Sequence, residues 1–216
     1  LYPLTTVPMQ DGKRAAKVLE EAMAGGFKGV MIGTQPNGIS GNLDDPDLDP
    51  FWEAASGLGA TVYLHPMFGC GDPRLNDFAL MNAVGRGTDT TTAVSRLLFS
   101  GHFLKYSGMK FVLSHGGGAI PYMMGRLAKN YEIHPGQYSD PVASFRKLYF
   151  DSVLFAPDAL NFLCSSCGHD KVILGSDYPF PIGDMTPLKV IDEAGFTDPQ
   201  RNMIVGETAA KLFGIS

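Results

Sequence analysis

The chain is poor in cysteine, in clustered basic residues and in long apolar runs, and each shortage excludes a class of protein. Its 216 residues include three cysteines, Cys70, Cys164 and Cys167. An odd, small number argues against a disulfide framework and for a reducing, cytoplasmic setting. Cys164-Ser-Ser-Cys167 has CxxC spacing, but no second CxxC completes a zinc ribbon. It also falls at the end of a predicted helix, whereas a redox pair opens one, where the dipole lowers a thiol pKa. The pair reads as two cysteines on a helix face. The formal charge is −5 and no Lys/Arg-rich run interrupts it, so nothing favours nucleic acid or an anionic membrane. No apolar stretch approaches the ~20 residues of a spanning helix, and no charged-then-apolar leader is visible at Leu1.

What the chain does have is 44% hydrophobic residues, enough for one domain over residues 1–216. Short apolar runs alternate with amphipathic stretches, which predicts an α/β fold with a parallel sheet. Strands are expected at Leu4–Val7, Gly29–Gly33, Thr61–Leu64, Lys110–Leu113, Leu148–Asp151 and Val172–Leu174. Helices are expected at Lys13–Ala24, Pro50–Leu58, Thr90–Tyr106, Pro121–Tyr131, Pro157–Cys167 and Pro187–Ala194, with one closing helix over Asp198–Phe213. The segment His134–Val142 is polar and reads as irregular.

Three of these strands end on chemically competent side chains. Thr61 to Pro66 read Thr-Val-Tyr-Leu-His-Pro, and Val112 to Gly118 read Val-Leu-Ser-His-Gly-Gly-Gly. Val172 to Pro181 read Val-Ile-Leu-Gly-Ser-Asp-Tyr-Pro-Phe-Pro. In a parallel barrel the C-terminal strand ends share one mouth, where such enzymes keep their chemistry.

These segments resemble the amidohydrolase superfamily, in particular its aminocarboxymuconate-semialdehyde decarboxylase-like branch. The matching stretches are Ile32-Gly33-Thr34, Leu43-Asp44 with Pro50-Phe51-Trp52, Leu64-His65-Pro66, Ser114 to Ala119 with Gly125-Arg126, and Leu174 to Pro181. The resemblance implies a distorted, TIM-like (β/α)8 barrel, of which this chain supplies about six of the eight units. It implies one divalent metal, zinc by expectation, with His65 and Asp177 as ligands. It makes His115 the acid–base group and Arg126 the binder of a substrate carboxylate, in some members from the neighbouring subunit, so that a homodimer is expected. The family's first strand carries a His-x-His pair. None of the five histidines here, His65, His102, His115, His134 and His169, stands two from another. Counted against the family, the chain begins at the third strand, and the front strands are expected to be missing.

The residues themselves suit this chemistry. Zinc lowers the pKa of bound water to about 7, and an imidazole is suited to move its proton. The glycines after His115 would let the backbone approach a ligand and offer N–H groups to an anion. A guanidinium such as that of Arg126 can clamp a carboxylate through two hydrogen bonds. The leading expectation is a metal-dependent, non-oxidative decarboxylase of a small unsaturated or aromatic acid. A hydrolase or hydratase of a similar acid, and a barrel fragment that binds no metal, remain as alternatives. His102 reads as a packed or surface residue, His134 and His169 as solvated loop residues. Asp151, at a strand end, either touches substrate or holds a loop by hydrogen bonds. Asn37, Asp44 and Asp45 read as turn formers, and Phe51 and Trp52 as packing residues of a helix.

Overall fold

The computed structural model of the chain describes residues 2–67, 69 and 71–215; Cys70 lies outside the described residues. Six strands, β1 (Thr5–Thr6), β2 (Gly29–Ile32), β3 (Thr61–Leu64), β4 (Lys110–Leu113), β5 (Leu148–Asp151) and β6 (Val172–Ile173), form one sheet. Every pairing is parallel, and each strand pairs with the next in the chain. A doubly wound sheet reverses its strand order at a switch point, whereas unbroken sequential order is the wall of a (β/α) barrel. The sheet is therefore six consecutive staves of such a barrel.

Side chains alternate across this wall as the two-residue period of a strand requires. Val30, Ile32, Val62, Leu64, Phe111, Leu113, Leu148 and Phe150 belong to the main core under the helices. Val112 and Ile173 face the other way and pack with Tyr63, Tyr149, Leu212 and Phe213. The outer layer begins with α1 (Gly12–Ala24) and α2 (Asp49–Gly57). Asp11 caps α1 by accepting from the Lys13 and Arg14 N–H groups. In α2, Phe51 and Trp52 are fully buried, and the Trp52 indole N–H donates to the Leu43 carbonyl at 2.9 Å. Burying a side chain of this size contributes about 1.5–3 kcal/mol, which is the packing role their sequence positions suggest. Asp45 caps a short 3-10 turn, Pro46–Leu48, and Asp44 pairs with Arg96 at 2.7 Å.

The helix expected over Thr90–Tyr106 is in fact two. α3 (Arg86–Phe99) starts earlier, directly after a π-helical turn at Met81–Gly85, and α4 (His102–Lys105) stands apart. The break is at Gly101, whose φ of 77° is left-handed and open to glycine. His102 thus opens α4, buried edge-on against Trp52. The helices α5 (Ile120–Glu132) and α7 (Pro157–Cys167) follow the expected spans. Between them residues 134–140 are irregular as expected, and α6 (Pro141–Phe145), begun by an Asp140 cap, overlaps only the last two residues of the His134–Val142 segment. Neither loop histidine is merely solvated: His134 packs on Tyr138 and His169 on Phe196.

After α8 (Pro187–Glu193), the closing helix runs unbroken over its expected span as α9 (Asp198–Asn202), a π turn at Met203–Glu207, and α10 (Thr208–Phe213). The end of α10 seals the bottom of the wall: the Leu212 carbonyl accepts from Lys110 Nζ at 2.7 Å and from Thr61 Oγ1 at 3.5 Å. The opposite, C-terminal ends of the strands are left for the site. No described helix is long and apolar enough to cross a membrane.

Candidate metal centre

His65 directly follows β3, His115 follows β4 after one residue, and Asp177 follows β6. The β-ladder continues into this rim. The His65 N–H donates to the Ile32 carbonyl at 2.9 Å, and the Ser114 N–H to that of Leu64 at 3.1 Å. Residues 112 positions apart in the chain are thereby brought into contact: His65 Nε2 lies 3.0 Å from Asp177 Oδ1. His115 Nε2 lies 3.5 Å from Asp177 Oδ2. The two imidazoles meet edge to face with centroids 5.0 Å apart, and one ligand atom from each of the three residues falls within a 4.8 Å group.

The backbone is strained where these groups are presented. His115 has φ 53° and Asp177 φ 54°, a region that non-glycine residues enter at a cost and that collects at functional sites. The glycines after His115 let the chain leave that position. A Cβ at Gly117 (φ 79°) would meet the Phe150 ring at 2.8 Å, and one at Gly118 (φ 62°) the Gly87 carbonyl at 2.6 Å. Their N–H groups do not await an anion, which corrects the expectation from sequence. Gly116 N–H donates to Asp151 Oδ1 at 3.1 Å, Gly117 N–H to the Ser114 carbonyl, and Gly118 N–H to the His115 carbonyl. The glycines are there for close packing and a reversal of the chain.

Asp151 holds the loop, and it also lines the second cleft. It is buried, and besides Gly116 it accepts from Val153 N–H at 3.2 Å and Tyr63 O–H at 2.7 Å. Burial first, and then the Asp151 charge, push the Tyr63 pKa well above the usual phenol value, so its hydroxyl stays a donor. A second network escaped the sequence reading. Buried Asp89 accepts from Thr34 Oγ1 and, at 3.0 Å, from Gln35 Nε2, tying the loop after β2 to α3. Phe180, within the Tyr-Pro-Phe-Pro run, stacks on His65 at 5.9 Å and 13°.

The donor set fits a cation. Asp177 is only 6% exposed at its side chain, His65 10% and His115 22%. Among the described residues Asp177 has no Lys or Arg partner, and a buried carboxylate without a counter-charge is costly. Burial, the largest influence, lowers the His65 pKa, with the Asp177 hydrogen bond opposing it. The ring is therefore held in the neutral form that binds metals. Two clefts flank the cluster. One, of about 570 Å³, is lined by His115 and Asp177 together with Arg86, Phe155 and Ile182. The other, of about 540 Å³, is lined by His65, Asp177, Tyr63 and Phe180. Arg126 lines neither: it is exposed on α5, in a neighbouring depression that shares Met123 with the first cleft.

A family model described as amidohydrolase matches residues 1–215. The chain belongs to the amidohydrolase family. It is 32% identical over 219 residues to 2-amino-3-carboxymuconate-6-semialdehyde decarboxylase of Dictyostelium discoideum, covering 98% of this chain and 60% of that protein. The crystal structure of 5-carboxyvanillate decarboxylase from Sphingomonas paucimobilis superposes with a TM-score of 0.89 at 28% identity, covering 100% of this chain and 67% of that one. Dihydroxybenzoic acid decarboxylase from Polaromonas sp. JS666, solved with manganese and 2-nitroresorcinol bound, gives a TM-score of 0.82 at 25% identity. There the match covers 99% of this chain and 69% of the other. The chain thus spans about three fifths of the length of the Dictyostelium relative. The family, the barrel and the decarboxylase-like branch read from the motifs agree with these matches.

Proposed function

We propose that the protein carrying this chain is a metal-dependent, non-oxidative decarboxylase of a small unsaturated or aromatic carboxylic acid. The observation that carries this reading is the convergence of His65, His115 and Asp177 within 4.8 Å at the strand ends. His65 and Asp177, the less exposed pair, would hold the ion. Zinc is the proposed metal, since an imidazole–carboxylate set suits it; manganese, bound by the Polaromonas relative, is the rival. When bound, the ion supplies Lewis-acid polarisation of a substrate oxygen.

The chain's own residues do the rest. His115, more exposed than the other two and lining the cleft with Phe155 and Ile182, holds a proton at Nε2 and delivers it to the carbon that bears the carboxylate. The carbon–carbon bond then breaks, its electron pair returns to the unsaturated system, and carbon dioxide leaves. Asp151 keeps the Gly116 backbone, and so the His115 ring, in place. The apolar side chains Phe155 and Ile182 line the cleft and suit a flat ring. Arg126, exposed and lining neither cleft of its own chain, would bind the substrate carboxylate of a neighbouring subunit in a homodimer. The free thiols of Cys164 and Cys167 support a reducing, cytoplasmic location.

The test is a panel of muconate-like and benzoate-like acids given to the metal-loaded full protein, with carbon dioxide and acid consumption both measured. Carbon dioxide should appear in step with acid loss, and His115→Gln should lower kcat by about 10²–10⁴-fold, the usual worth of a positioned acid–base group. Water addition or ester cleavage without carbon dioxide would establish the hydratase or hydrolase reading instead.

A further inference from the structure

The cleft beside His115 contains a cation that neither the metal centre nor the motifs account for. Arg86 is the first residue of α3 and lines the same cleft as His115 and Asp177. Its Nε is buried and has no hydrogen-bond partner. A guanidinium does not shed its proton in a protein, and a buried charged donor left unmet costs more than a neutral one. The neighbouring hydroxyls do not compete for whatever Arg86 binds. Thr88, Thr91 and Thr92 donate to the carbonyls of Val84, Gly87 and Thr88, one turn back in the helix. Apart from His115, Arg86 is the only basic side chain among the described residues that line this cleft.

Local structure places the side chain there. The π turn at Met81–Gly85 runs straight into Arg86, and such a turn inserts one residue into the helical register, re-aiming the side chains that follow. Gly85 is buried beneath it: a Cβ there would meet Leu75 Cδ1 and Met81 Sδ, both at 3.0 Å. The position is therefore built and tightly supported.

We propose that Arg86 binds a second carboxylate of the substrate, on the same ring or chain as the one that is lost, and so selects dicarboxylic over monocarboxylic acids. The proposal rests on the cleft being the acid-binding site, but not on decarboxylation itself. Two oxygens of a carboxylate match the guanidinium fork, which fixes the plane of the substrate as well as its charge. The reacting carboxylate then lies at the metal centre and the second at Arg86, with the carbon to be protonated held beside His115. Arg126 of the same chain lines a different depression and takes no part in this recognition.

The test is equilibrium binding of two probes, isophthalate and benzoate, to the metal-loaded full protein and to its Arg86→Met and Arg86→Lys variants. Thermal melts serve to show that each variant is folded. The wild type should prefer isophthalate, and Arg86→Met should weaken isophthalate by about 10–100-fold, as expected for one charge-assisted pair, while benzoate stays unchanged. Arg86→Lys should keep part of the preference. Equal weakening of both probes in a folded Arg86→Met, or no preference in the wild type, would overturn the proposal. His115→Gln separates the two readings: it should remove carbon dioxide release and leave the isophthalate preference intact. A protein that shows the preference but never releases carbon dioxide retains Arg86's role and loses the decarboxylase assignment.

Discussion

Replacing Asp151 by alanine should unfold much of the margin that keeps this barrel wall intact, and the reason lies in three donors. The carboxylate accepts from Gly116 N–H at 3.1 Å, Val153 N–H at 3.2 Å and Tyr63 O–H at 2.7 Å. Gly116 and Val153 are buried, so alanine leaves their N–H groups without a partner. Each unmet buried donor costs about 1–3 kcal/mol. A water entering the new cavity can satisfy part of the set, which brings the expected loss to roughly 3–5 kcal/mol. That is a large share of the roughly 5–15 kcal/mol by which a domain is stable. Asp151→Asn keeps the shape. Its amide oxygen can still accept from both N–H groups, and its NH₂ can donate to the Tyr63 oxygen, so roughly 1–2 kcal/mol should be lost. Urea unfolding followed by circular dichroism measures both variants. A difference of less than about 1 kcal/mol between alanine and asparagine would refute the reasoning, because it would mean the donors are met elsewhere. Since Gly116 adjoins His115, the alanine variant should also lower kcat more than it raises KM.

Two further outcomes follow from burial. Burial, the main influence, holds the His102 pKa below its usual value, against the pull of Asp44 and Asp49 and alongside the repulsion of Lys105. The unfolded chain therefore takes up a proton before the folded one does. This contribution to stability is complete above about pH 6.5 and is lost as pH falls toward the folded pKa. The stability gap between wild type and His102→Gln should shrink from about pH 7 to about pH 5 in denaturant titrations; a constant gap would count against it. Desolvation pushes the Cys164 and Cys167 thiols up to about 12, so in a Cys70→Ser background a thiol reagent should label them only on unfolding. Rapid labelling of the native protein would contradict the packing of Leu160, Leu163 and Cys164 of α7 in the main core, with Cys167 against it.

Much of the fold could be read from the sequence because its signals are local. The strands Thr61–Leu64, Lys110–Leu113 and Leu148–Asp151, and the helix Pro157–Cys167, match the structure residue for residue. Each is an apolar or amphipathic run closed by a turn residue, a histidine or a glycine. The merged helix over Thr90–Tyr106 failed because Gly101 sits in a periodic pattern, and only its positive φ reveals the break. α6 begins at the end of the polar segment and, at five residues, is too short to show a period. The site divides in the same way. His65, His115 and Asp177 end strands and converge as their positions imply. The purpose of the glycines could not be read, because their partners, Asp151 and Phe150, lie more than thirty residues away in sequence. Arg86 gave no signal at all. Its meaning depends on a π turn and on a cleft assembled from four parts of the chain.

Metal content of the full protein is the measurement that bears most directly on the central claim, that His65 and Asp177 hold an ion beside His115. Elemental analysis after loading and dialysis should find one divalent ion per chain in the wild type. Asp177→Asn, which keeps the shape of the side chain but removes the charge of the buried carboxylate, should retain far less than one. An Asp177→Asn protein that holds its ion as firmly as the wild type would contradict the account.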